Sequence, residues 1–180
     1  MRVGLELLQL ARAAGAPGIF VAGTGRDAGK TTALRAIYAA ACASGLRSGI
    51  ASIGHEGDPL RSQTHPKPRF WLQPGTFFAT ARGALPRTPA CELLGLSSLR
   101  TPAGGLLYAC VRTSAFYELV GPPTASGVRQ VVAELAARSE IVLIDGAVDR
   151  VAALAGSDCA IVVACGAANA NTIGEAVEEI

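Results

Sequence analysis

Three glycines, three threonines and a lysine fall within ten consecutive residues, Gly23-Thr24-Gly25-Arg26-Asp27-Ala28-Gly29-Lys30-Thr31-Thr32. An apolar run precedes them, Gly18-Ile19-Phe20-Val21-Ala22, of the kind a buried parallel strand shows. After them, Thr31 to Ser44 carries Leu34, Ile37, Tyr38 and Ala41 at helical spacing, and Gly45 stands where a C-terminal cap belongs. Strand, glycine-rich turn and helix in that order form a seat for an anion. Glycines let the backbone curl close to phosphate oxygens with no Cβ in the way. The helix N-terminus adds unpaired N–H groups and the positive end of its dipole. Lys30 supplies a point charge for β- and γ-phosphates, and the Thr31 hydroxyl is placed to ligate Mg²⁺. Residues 23 to 32 are therefore read as the binding loop of a nucleoside triphosphate, with Lys30 in a catalytic role as well.

A second acid is needed to hold Mg²⁺ through water, and Ile141-Val142-Leu143-Ile144 ends in Asp145, the form such an acid takes at a strand tip. Asp145 is assigned both a catalytic and a metal-holding role, with Asp149 and Arg150 close behind it. His55, Glu56 and Asp58 follow the second predicted strand. Asp58 is read as a further metal-side acid, against the alternative that it and Glu56 simply face solvent in a turn. At the loop's tip, Arg26 and Asp27 either touch the nucleotide or a partner, or stay solvated. Neither [NT]-K-x-D nor D-x-x-G occurs, so ATP is favoured over GTP. Asn169 and Asn171 are open between base contact and helix capping. His55 and His65 lack zinc-ligand spacing, and Phe70 and Trp71 are expected to pack under the surrounding segment.

The chain has 180 residues, half of them hydrophobic, enough for one well-buried domain spanning 1–180. No apolar run approaches the ~20 residues of a membrane span. The net charge of +2 is spread out, without a basic, aromatic-laced patch for nucleic acid. Residues 1–16 read as an amphipathic helix rather than a signal peptide, and the five cysteines as free thiols of a cytoplasmic protein. Strands are expected over Arg47 to Ile53, Leu106 to Arg112, Ala115 to Val120, Glu140 to Ile144 and Cys159 to Ala164, with a helix over Ser126 to Arg138. Between Gly54 and Gly105 the prolines cluster, and a loop-rich insertion is expected, with an extended piece at Arg69 to Gln73 and a short helix near Thr76 to Arg82. Asn171 to Ile180 follows a helical pattern to its last residue, as in a piece of a longer protein. The expected fold class is α/β, a P-loop NTPase three-layer sandwich with a mostly parallel sheet.

Thr24 stands where the common G-x-x-x-x-G-K-[ST] pattern begins with Gly, and this form resembles the deviant P-loop group that includes dethiobiotin synthetase. Further segments resemble one family in that group, the ATP-binding subunit of the lysine 5,6-aminomutase reactivase. They are Ser52-Ile53-Gly54-His55-Glu56-Gly57, Lys67-Pro68-Arg69, Gly75-Thr76, Ala79-Thr80-Ala81, Thr101-Pro102, Gly121-Pro122 and Leu143-Ile144-Asp145-Gly146-Ala147-Val148-Asp149-Arg150. Family members carry an arginine where His55 stands. The resemblance implies ATP and Mg²⁺ as cofactors, and a companion reactivase subunit and the aminomutase as partners, with a dimer open. It also implies an ATP-driven release of damaged cobalamin from an adenosylcobalamin enzyme, with Lys67 and Arg69 of the insertion nearest the phosphates. The competing expectation is a dethiobiotin synthetase-like ligase or kinase acting on a small carboxylate, for which Lys67 is the only lysine besides Lys30. A chromosome-partitioning type of assembly protein usually has a second lysine near the loop's start, where this chain has Thr24 and Arg26.

Overall fold

The apolar run at Gly18–Gly23 forms β1, buried at every position, because it lies inside a sheet covered on both faces. The computed structural model describes residues 2–25, 28–53, 69–101, 103–146, 158–166, 172 and 174–175. The chain runs α1 (Arg2–Ala13), β1, α2 (Lys30–Ala43), β2 (Ser48–Ser52), β3 (Arg69–Leu72) and β4 (Phe77–Ala81). A single 3-10 turn (Arg82–Ala84) follows, then β5 (Cys91–Thr101), β6 (Gly104–Val111), β7 (Ala115–Glu118), α3 (Ala125–Ala136), β8 (Ile141–Asp145) and β9 (Ala160–Ala164). The fold is α/β, built on a seven-stranded mixed sheet in the order β5-β6-β4-β2-β8-β1-β9. From β4 to β9 every neighbouring pair is parallel, whereas β6 runs antiparallel to both β4 and β5. A separate two-stranded antiparallel ribbon joins β3 to β7.

Alternation along β1 divides the core. Ile19 and Val21 join Leu8 of α1 and Leu34, Ile37 and Ala41 of α2, whereas Phe20 and Ala22 join Val128, Val131 and Leu135 of α3. The ribbon adds Phe70, Leu72 and Tyr117 to the α1/α2 side. The Leu, Ile, Val and Phe side chains among them each contribute about 1.5–3 kcal/mol relative to exposure, so the helices are held by these faces rather than by intrinsic propensity. Two local signals act as the sequence suggests. Gly45 takes φ 69° just past α2, its N–H reaching the Cys42 carbonyl at 3.0 Å. After Pro122-Pro123, the Thr124 hydroxyl caps α3 by accepting from the Gly127 N–H at 3.2 Å.

The segment expected as a loop-rich insertion is largely sheet where it is described. Thr76 to Arg82 is not a helix: Phe77–Ala81 is β4, parallel to β2 and antiparallel to β6. Its alanines and terminal arginine mimic a helical composition, but two flanking strands and cover on both faces decide the conformation. β5, eleven residues long, was not anticipated, since Gly95 and the serines Ser97 and Ser98 interrupt any alternation. The described prolines of this segment fall between strands, with Pro74 in the turn before β4 and Pro86 and Pro89 ahead of β5. Phe70 is buried as expected, but Trp71 is half-exposed on the ribbon's outer side, edge-on to Phe116 at 4.9 Å. Among the described residues no helix is long and apolar enough to cross a membrane.

Candidate functional site

β1 ends at Gly23 and α2 begins at Lys30, so the chain passes from strand to helix at the carboxyl ends of the parallel strands. Gly29 occupies the N-cap position with φ 94°, a left-handed conformation that a Cβ disfavours. It has no side chain to cap α2, so the first-turn N–H groups remain for the loop and for an anion seated in it. Ala28 is buried, Thr24, Gly25, Lys30 and Thr31 are half-buried, and Gly29 and Thr32 are exposed. Lys30 folds back across the loop. Its Nζ donates to the Gly25 carbonyl, and its stem lies so close to Gly23 that a Cβ there would sit 2.7 Å from Cγ.

Asp145 closes β8, the strand immediately beside β1, in register with Val21 on one side and Ser52 on the other. Its main chain is fixed by the Ile53 N–H, which donates to its carbonyl at 3.0 Å, while the next residue, Gly146, donates to Val21 O at 3.0 Å. Asp145 is half-buried, at the same end of the sheet as the loop. Arg26, Asp27 and Asp58 lie outside the described residues, as do His55, Glu56, His65, Lys67, Asp149, Arg150, Asn169 and Asn171.

The far side of the loop rests on a segment that sequence reasoning missed. β9 pairs with β1 on the side opposite β8, and the chain leaving it lies against the loop. The Thr24 N–H donates to Ala164 O at 3.1 Å, and its hydroxyl donates to Cys165 Sγ at 3.7 Å. Gly166 packs on Ala28, where an added Cβ would stand 2.6 Å from the Ala28 Cα. The small pair Cys165-Gly166 directly after an apolar strand was the available signal.

The helix behind the loop is tied to the ribbon. Arg35, in the second turn of α2, donates to the Arg69 carbonyl at 2.9 Å and lies over the Phe70 ring. One turn later, the Tyr38 hydroxyl accepts from the Gln73 N–H at 2.8 Å and shares a 2.7 Å hydrogen bond with Thr76. Burial pushes the Tyr38 phenol up to about 12, against the opposing effect of its Gln73 and Thr76 hydrogen bonds. The five cysteines are unbridged, and burial raises the thiols of Cys42, Cys91 and Cys110, which disfavours their reactive thiolate forms. No family model, curated protein or solved structure matches the chain.

Proposed function

We propose that this chain is a P-loop NTPase that binds MgATP on residues 23–32, and that it is the nucleotide-binding subunit of a reactivase for an adenosylcobalamin-dependent aminomutase. The observation that carries the nucleotide reading is the placement of Lys30, which opens α2 yet reaches back over the loop to Gly25, one strand away from Asp145. Phosphate oxygens are charged acceptors and bind an ammonium more strongly than a backbone carbonyl does, so ATP displaces the Gly25 contact. The Thr31 hydroxyl and the Asp145 carboxylate are hard oxygen donors of the sort Mg²⁺ prefers, and with the phosphates they suit that ion. Bound Mg²⁺ supplies charge neutralisation of the phosphates. Lys30 adds a second positive charge, and the loop's N–H groups orient the chain of phosphates.

The reactivase reading rests on the resemblance and gains support from the ties between α2 and the ribbon. Arg35 and Tyr38 lie on the same helix as Lys30 and Thr31, so a shift of α2 on nucleotide binding moves the Arg69-to-Thr76 segment with it. ATP then favours the conformation that binds the open aminomutase, a population shift whose size is set by differential affinity. The test is recovery of a turnover-inactivated aminomutase by this protein with its companion subunit, MgATP and fresh adenosylcobalamin. Recovery that needs ATP and is lost in Lys30→Ala supports the proposal. If MgATP binds but recovers nothing, a ligase or kinase acting on a small carboxylate takes its place.

A further inference from the structure

The chain leaving β9 touches the loop at both of its ends. At the start, Thr24 is held by the Ala164 carbonyl and its hydroxyl reaches Cys165 Sγ. Near the finish, Gly166 lies against Ala28, the residue before Gly29 and Lys30, and Ala28 is 3% exposed. An alanine at 166 would put its Cβ 2.6 Å from the Ala28 Cα, 3.0 Å from its carbonyl carbon and 3.2 Å from its oxygen. All three are main-chain atoms, so no rotamer change relieves the contact and one of the two backbones, the loop or the β9 exit, must shift.

We infer that Ala164-Cys165-Gly166 is a positioning clamp for the phosphate loop, and that Gly166 sets the height at which the loop's N–H groups and Lys30 meet the triphosphate. The inference rests on the nucleotide reading above. β1 is fixed in the sheet between β8 and β9, so the loop has no freedom to retreat on its strand side. A Cβ at 166 forces the Gly166 and Ala28 backbones apart and so disturbs the seat of the loop. A misplacement of about 1 Å in such a site costs up to about a hundredfold where positioning matters. Gly166 acts through Ala28, as a positioning residue.

The experiment compares wild type, Lys30→Ala and Gly166→Ala for affinity toward MgATP and toward Mg²⁺ with inorganic tripolyphosphate, which reads the phosphate seat alone. The melting temperature of each unliganded protein separates positioning from general damage. Gly166→Ala is expected to bind both probes about tenfold or more weakly, while its unliganded melting temperature stays within about 4 °C, a shift worth roughly 1 kcal/mol at this size. Unchanged affinity, or a loss no larger than the drop in stability accounts for, overturns the clamp. If wild type binds neither probe, the nucleotide reading fails on its own. The clamp is then judged by residue-resolved alkylation of Cys165 with N-ethylmaleimide, which Gly166→Ala must accelerate if the segment is lifted from Thr24. Should Gly166→Ala not fold, amide exchange in wild type decides. A Thr24 N–H as protected as those inside β1 supports the clamp, and free exchange refutes it.

Discussion

Lys30 and Gly29 show how two adjacent residues serve the loop by different physics. Lys30 contributes charge. Its ammonium is parked on an uncharged acceptor, the Gly25 carbonyl, which under the proposed nucleotide reading it exchanges for phosphate at little loss. Lys30→Ala removes a charge-assisted contact of about 1.5–3 kcal/mol, so calorimetric titration should find MgATP binding some ten- to hundredfold weaker with the unliganded fold intact. Gly29 contributes conformation. Nothing lies within 4 Å of where its Cβ would be, so Gly29→Ala meets strain at φ 94° and no clash. Urea unfolding should show a loss of about 1–2 kcal/mol, the cost of a left-handed alanine. A substitution there that leaves stability unchanged would mean the loop has another conformation of equal energy.

Between elements, the ties from α2 to the β3–β4 connection depend on one hydroxyl. Tyr38→Phe leaves the Gln73 N–H and the buried Thr76 hydroxyl without their partner, and should cost about 1–3 kcal/mol in chemical denaturation. Tyr117 offers the contrast. Its ring packs on Phe78 at 4.6 Å, and its buried hydroxyl meets only the Cys91 thiol and the Ala90 main chain, weaker partners than those of Tyr38, so Tyr117→Phe should cost less than Tyr38→Phe. Equal losses in the two variants would show that the Tyr117 hydroxyl is held as firmly as that of Tyr38. The same level of structure separates what the sequence revealed from what it hid. α2, α3, β1 and β8 were legible because each carries its own period or apolar run, and the loop and Asp145 were legible because they sit at fixed offsets from those runs. β4 and β5 were not, since their conformation depends on the strands beside them, distant in sequence. The β9 exit was hidden for a related reason: Thr24 meets Ala164 only through the register of β9 on β1.

Across the whole molecule, the two cores on either side of the sheet bury phenols and thiols alongside aliphatic side chains, and this couples stability to alkaline pH. Burial pushes Tyr38 and Tyr117 up to about 12, with the nearby Cys91 thiol a further cause for Tyr117, and it also raises Tyr108. A group whose folded pKa lies above its unfolded value keeps its proton in the native state while the unfolded chain has lost it. Stability is then fully present below the unfolded value and falls as pH rises toward the folded one. The thiols of Cys42, Cys91 and Cys110, raised from 9.0, start the decline, and the phenols steepen it from 10.0 toward about 12. Equilibrium unfolding should therefore give a free energy that is flat through neutral pH and drops increasingly above pH 9 to 10. Tyr38→Phe combined with Tyr117→Phe should flatten the upper part of that drop, because neither phenol remains to ionise on unfolding. The thiol-dependent part should persist. If the double variant loses stability as steeply as wild type between pH 10 and 12, the phenols already ionise in the folded protein, and the core around Tyr38 and Tyr117 admits water.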